Sequence, residues 1–154
     1  MPTFEFHITI HRSATEVFDL LADLEGYRRW LPRSRTFSGV AEIAPLPVQV
    51  GTAYQDIGRA GRMEGRVTAL VPGEQITFQQ RLPRAPGWPL AGLDILIDYR
   101  LRSVADGTAV QRSVTVEPHG LLRLLHTPLL TGIRRENARV LWMLKQYLEV
   151  MRNA

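Results

Sequence analysis

The stretch Ile133–Met151, IRRENARVLWMLKQYLEVM, decides the fold. Ile133, Asn137, Val140, Leu141, Leu144, Leu148 and Met151 recur at the spacing of one helix face, over about five turns. Arg134, Arg135, Arg139, Lys145 and Arg152 fall mostly off that stripe and are expected to face water. A long helix with one wide apolar face needs a large apolar partner. The preceding chain must supply it.

That chain is rich in strand signals. Thr3–His11 alternates Phe4, Phe6, Ile8 and Ile10 with Glu5, His7, Thr9 and His11, so one face covers a core. Ser13-Ala14-Thr15-Glu16 reads as a capping box, with the Ser13 hydroxyl accepting from the Glu16 amide. Val17, Leu20, Leu21 and Leu24 follow at helical spacing until Gly26 breaks the helix. A second short helix, Tyr27–Leu31, stops at Pro32. Strands are expected at Thr36–Ile43, Gly51–Ile57, Met63–Val71, Gln75–Leu82, Leu93–Ser103 and Thr108–Glu117. Turn signals at Gly58–Gly61, Pro72-Gly73-Glu74 and Asp106-Gly107 punctuate them, and the last strand ends at Pro118. Pro83–Gly92 is a loop. One strand, two short helices, six strands in meander order and a long helix make an α+β plan with an antiparallel sheet. No βαβ alternation points to a nucleotide-binding parallel sheet.

The totals fit a single domain: 154 residues, 45% hydrophobic and 22% charged. The absence of cysteine excludes disulfides, thiolate metal sites and a cysteine nucleophile. The first residues read as a strand rather than a signal peptide, and no run of about 18 apolar residues could span a membrane. A cytoplasmic location is therefore expected. The net charge of +4 invites a nucleic-acid partner. The basic residues, only one of them (Lys145) a lysine, are scattered from Arg12 to Arg152 with no dense stripe of interleaved aromatics, so none is expected.

Several strings resemble the START-like superfamily, also called SRPBCC, and within it the polyketide cyclase/dehydrase group. The most telling is Ile10-His11-Arg12-Ser13-Ala14-Thr15-Glu16-Val17-Phe18-Asp19-Leu20-Leu21-Ala22-Asp23, continuing to Tyr27-Arg28-Arg29-Trp30-Leu31-Pro32. Gly51-Thr52, the Val67–Pro72 strand and turn, Tyr99-Arg100-Leu101 with Gly107-Thr108, and Leu144-Lys145-Gln146-Tyr147-Leu148-Glu149 add to it. The resemblance covers almost the whole chain. It implies a helix-grip fold: a curved seven-stranded antiparallel sheet wrapped around the C-terminal helix, with two short helices after strand one and a deep cavity between sheet and helix. It also implies a function, the binding or transport of a hydrophobic small molecule such as a lipid, a polyketide or another aromatic ligand. A polyketide cyclase or dehydratase acting in the same cavity is the enzymatic alternative. A peripheral membrane chaperone for a lipid such as a quinone is the third.

The residues offer candidates for that cavity. Leu93, Ile95, Ile97, Tyr99 and Leu101 share one strand face, and on the next strand Arg112 shares a face with Val110, Val114 and Val116. An inward guanidinium must pair with an acid, snorkel out, or meet an anionic or carbonyl ligand, unless a bulge turns it away. Gln80 lies with Ile76, Phe78 and Leu82, where its amide could meet a substrate oxygen or a neighbouring strand. Asn137 interrupts the helix stripe and points at the sheet, toward a ligand, a sheet residue or water. Tyr54 and Asp56 alternate on one face, Tyr54 reading as a core or rim tyrosine or as an acid. The ligand-binding set is thus Tyr54, Phe78, Gln80, Trp88, Ile95, Ile97, Tyr99, Arg112, Asn137 and Leu141. Trp88 is a candidate gate in the Pro83–Gly92 loop, Trp30 reads as packing, and Trp142 is expected against the sheet or a partner chain.

No catalytic acid–base pair stands out, and neither cofactor nor metal is expected. His7 and His11 stand about 13 Å apart along a strand, and His119 and His126 would be about 10 Å apart even in one helix. No HExxH, G-x-S-x-G, P-loop or GxGxxG pattern occurs. The leucine-rich run Leu121–Leu130, followed by Arg134 and Arg135, either closes the cavity or rests at a membrane surface. Pro128 within it suits the first turn of the long helix.

Overall fold

The structure, a computed structural model, describes residues 2–34, 37–58, 61–82, 91–124 and 126–150. Strand β1 (Thr3–Ile10) leads to α1 (Ala14–Ala22), a 3-10 turn at Leu24–Gly26, and α2 (Tyr27–Trp30). Six strands follow: β2 (Gly39–Ala44), β3 (Ala53–Gly58), β4 (Gly61–Val71), β5 (Gln75–Leu82), β6 (Ala91–Val104) and β7 (Gly107–Gly120). A 3-10 turn at Leu121–Arg123 then enters α3 (His126–Glu149). The N-terminus of α1 is capped as its sequence suggests, with the Glu16 amide donating to Ser13 Oγ at 3.2 Å.

All seven strands form one antiparallel sheet in the order β1-β7-β6-β5-β4-β3-β2. Consecutive strands β1 and β2 therefore lie at opposite edges, and the two short helices carry the chain from one edge to the other. Register shifts at Val67/Ala69 in β4 and Ala41/Ala44 in β2 add local twist, which helps curl the sheet. Helix α3 lies in the curve. The plan matches the helix-grip expectation, with corrections at element ends. Strand β7 runs through Pro118, past the expected stop at Glu117, with Pro118 paired to Leu93. On its other side β7 pairs with β1 only as far as Thr115, and the last bond is from the Val116 amide to the Pro2 carbonyl. The missing N–H of Pro118 thus falls where no described strand needs it.

The helix and sheet meet unevenly. Toward the C-terminal end of α3, Leu144 and Leu148 are fully buried. That end is tied down by Arg12 Nε donating to the Leu148 carbonyl (2.8 Å) and the His11 amide donating to Glu149 Oε1 (3.0 Å). The N-terminal half stands off the sheet. Trp142 is 55% exposed, so most of its surface lies off the sheet, one of the two surfaces expected for it. Trp30 is buried at 2% exposure and stacks at a tilt 5.0 Å from Tyr27, a packing role as expected.

Candidate functional site

Where α3 stands off, a cavity of about 460 Å3 opens between Pro128–Val140 and the concave sheet face. Its wall is mostly apolar, with Phe37, Met63, Phe78, Ile97, Leu129 and Val140 among the lining side chains. Tyr54, Phe78 and Tyr99 form a row of edge-to-face rings along it, with centroids 6.0 and 6.4 Å apart. Two polar clusters interrupt this surface.

The first is built around Arg112. The β6–β7 register runs without a shift from Ala91↔Gly120 to Val104↔Gly107, so no bulge turns Arg112 outward. It sits opposite Tyr99 on β6 and Phe6 on β1, and it is 6% exposed. Its Nε donates to Asn137 Oδ1 at 2.8 Å, its Nη2 to the same oxygen, and its Nη1 to the Tyr99 hydroxyl. Asn137 in turn donates to the Ile133 carbonyl at 2.7 Å, which fixes its amide orientation. Each of these partners is neutral. Among the described residues, no ion pair involves Arg112. Burial lowers its pKa to about 10, so it stays cationic at neutral pH. A buried guanidinium in no ion pair, with the carboxylates of Glu136 and Asp56 acting on it only from across the cavity wall, is an expensive arrangement, and it directs attention to what the cavity holds.

The second cluster joins β3 and β5 across β4. Tyr54, Gly65, Gln80 and Ile95 form one cross-strand row. A Cβ on Gly65 would lie 2.2 Å from the Tyr54 ring, so the absent side chain is what lets that ring lie across β4. Gln80 Nε2 then donates to the Tyr54 hydroxyl at 3.0 Å and to Asp56 Oδ2 at 3.1 Å. Burial, opposed by the Gln80 bond and reinforced by the charge of Glu136, pushes the Asp56 carboxyl up to about 7. Burial also drives the Tyr54 and Tyr27 phenols far above their ordinary range, so both act as neutral hydrogen-bonding groups. Glu136, a third ionisable lining group, is engaged by Arg139 at 3.1 Å and by the Ser34 hydroxyl at 3.2 Å.

Of the sequence candidates, Tyr54, Phe78, Gln80, Ile95, Ile97, Tyr99, Arg112 and Asn137 line the cavity. Leu141 does not. It is buried at 3% exposure one turn beyond Asn137, where α3 closes on the sheet. Trp88 lies outside the described residues. Asn137 meets Arg112, whereas Gln80 belongs to the other cluster. Asp56, Glu136 and Tyr27 also line the cavity and are absent from the set expected from the sequence. Alternation with Tyr54 is the available signal for Asp56; Glu136 sits on the flank of the helix stripe and gives none.

On the outer sheet face, Asp94, Glu117 and His119 bring possible ligand atoms within 4.8 Å of one another. Both oxygens of Asp94 are already engaged, one by Arg81 Nε (3.0 Å) and the other by His119 Nε2 (2.7 Å). The geometry is that of an ion-pair network, in which these partners hold the Asp94 carboxyl below its usual range against a partial burial cost.

Residues 1–149 match the family described as polyketide cyclase/dehydrase and lipid transport. The chain belongs to that family. No curated protein matches the sequence. Among solved structures, the fold is similar to that of the Aha1 dimer from Colwellia psychrerythraea, at 20% identity and TM-score 0.68, covering 97% of this chain and 98% of that one. A protein from Nitrosospira multiformis aligns at 14% identity and TM-score 0.73 over 99% of this chain and 100% of its own. The di-domain ARO/CYC StfQ of the steffimycin biosynthetic pathway aligns at 12% identity and TM-score 0.69, over 99% of this chain and 52% of that one. At these identities the likeness is one of fold.

Proposed function

We propose that this family member acts as a single START-like domain that binds or carries a hydrophobic small molecule between α3 and the sheet. The observation that carries the reading is Arg112, a buried cation held by neutral groups at the wall of an apolar cavity. The cavity volume falls within the roughly 300–1,000 Å3 usual for small-molecule sites, and a few polar groups on an apolar wall are what such sites use to fix orientation. The family description, which names polyketide cyclases and lipid transport, supports a lipid, a polyketide or another aromatic ligand. Native mass spectrometry after incubation with 2-naphthol tests it. A one-to-one complex is expected, at least tenfold depleted in a folded Ile95→Phe variant whose ring occupies the cavity. Equal complex formation by both proteins would contradict the reading.

Asp56 favours a second reading, a polyketide cyclase or dehydratase in the same cavity. A carboxyl that titrates near neutral pH suits proton transfer to or from an enolising chain, while the cavity supplies the folding of that chain.

The proposal extends to a peripheral membrane contact through Leu121–Leu130. Leu121 and Leu124 are 41% and 81% exposed, next to Leu122 and Leu129 of the cavity wall, with Arg134 and Arg135 exposed nearby. Co-sedimentation with phosphatidylglycerol-containing vesicles should fall severalfold in a Leu121→Asp/Leu124→Asp variant; unchanged partitioning would remove the membrane contact. No helix among the described residues is long and apolar enough to cross a membrane.

A further inference from the structure

The outer sheet face carries a row of charges that the cavity does not use. Glu64 of β4, Arg81 of β5, Asp94 of β6 and Glu117 of β7 are successive cross-strand partners. Two carboxylates, Asp94 and Glu117, therefore stand directly opposite each other, a pairing that costs stability when both are ionised. Asp94 is matched, because Arg81 Nε donates to its Oδ1 at 3.0 Å. Glu117 is not. Among the described residues it is in no ion pair. Strand β1 pairs with β7 only as far as Thr115, so no described β1 residue lies opposite Glu117. Arg123, a further cation at this strand end, donates to the Pro118 carbonyl at 3.3 Å. His119 follows Glu117 by two residues and projects from the same face, where its Nε2 lies 2.7 Å from Asp94 Oδ2. One ligand atom from each of Asp94, Glu117 and His119 falls within 4.8 Å of the other two. Spacing along one strand or helix keeps the histidines too far apart to share an ion. The β6–β7 register instead gives His119 two carboxylate neighbours.

We propose that Asp94, Glu117 and His119 form a binding site for a divalent transition-metal ion, independent of what the cavity holds. Zinc matches the donors best: it accepts one imidazole and two carboxylates, with water in the fourth position of a tetrahedron. Ligand atoms about 2.0–2.2 Å from zinc stand about 3.3 Å apart in that geometry. The His119–Asp94 contact opens by about 0.6 Å to reach it, and Glu117 closes through rotation of its own side chain. The ion takes the place of the hydrogen between His119 Nε2 and Asp94 Oδ2. That proton moves to Nδ1 of a neutral ring, or leaves to solvent from a protonated one. Arg81 stays on the other Asp94 oxygen and orients the carboxylate from behind, as hydrogen-bonding partners of metal ligands do. The ion-pair network is thus the metal-free form of the site, and the ion supplies the positive charge that Glu117 lacks. Bound there, it ties β6 to β7 beside Leu93, which borders both the outer cleft around Asp94 and the cavity.

Calorimetric titration of tag-free, chelator-treated protein with zinc chloride tests the site. One ion per chain is expected, with the affinity lowered at least about tenfold in His119→Ala and in Glu117→Gln, and unchanged in the control His11→Ala. Cobalt(II), a paramagnetic stand-in for zinc, maps the site in the wild type. It should broaden the methyl signals of Leu82 and Leu93, which border the cleft around Asp94, and leave those of the buried Leu144 and Leu148 sharp. No zinc binding, wild-type affinity in either the His119→Ala or the Glu117→Gln protein, or cobalt broadening centred away from Leu82 and Leu93 would each overturn the proposal. The three side chains would then form an ion-pair network and nothing more. The cobalt map decides between these outcomes even if a variant does not fold. None of them bears on the cavity reading, which 2-naphthol tests separately.

Discussion

An Arg112→Met variant should lose binding of 2-naphthol by ten- to a hundredfold while unfolding within about 1 kcal/mol of the wild type. The loss follows from removing hydrogen bonds to a charged group, worth about 1.5–3 kcal/mol, or one to two decades of affinity. The stability expectation is less intuitive. Deleting one member of a buried polar pair is usually costly, about 3–5 kcal/mol, because a charge is left stranded. Here the charge itself is what leaves. Asn137 and Tyr99, the groups left behind, are neutral, and Asn137 keeps its bond to the Ile133 carbonyl. Methionine fills similar length without a desolvation cost, so the two effects nearly cancel. Thermal unfolding and a fluorescence titration check both halves. A large drop in stability with unchanged binding would mean that Arg112 is a structural residue.

Leu144→Ala should show the reverse pattern. Leu144 is fully buried where α3 presses on the sheet, two turns beyond Asn137 and outside the cavity wall. Truncating a packed leucine costs about 2–5 kcal/mol, the transfer of the lost methyls plus the void they leave. For a domain of this size the midpoint of thermal unfolding should fall by roughly 4–20 °C. Below that midpoint the affinity for 2-naphthol should change by less than threefold, because the C-terminal tether through Arg12 and Glu149 remains. Calorimetry and the same titration check it. One helix thus carries stability at its C-terminal end and the proposed ligand contacts at its N-terminal half.

That division is only partly legible in the sequence. The sheet and long helix are, because periods of two and 3.6 are local properties that survive without coordinates. The inward face of Arg112 is legible for the same reason: it alternates with Val110 and Val114 on a strand whose register is continuous. The standing-off of α3 is not. Both Asn137 and Leu141 belong to the apolar stripe, and which one faces a cavity depends on where along α3 the helix leaves the sheet, a tertiary fact. The Tyr54–Gln80–Asp56 cluster needs the β3–β4–β5 register and the absent side chain of Gly65, facts about three strands at once. Pro118 misleads in the other direction. A proline usually ends a strand in a sheet interior, but β1 stops short of it.

If the space between α3 and the sheet holds a ligand, methyl NMR during a titration with 2-naphthol should reveal it most directly. Saturable shifts are expected at Ile97, Leu129 and Val140, which line the cavity, and none at the exposed Val50 and Val71. A spectrum that stays unchanged, or that moves only at the surface methyls, would contradict ligand binding in that space.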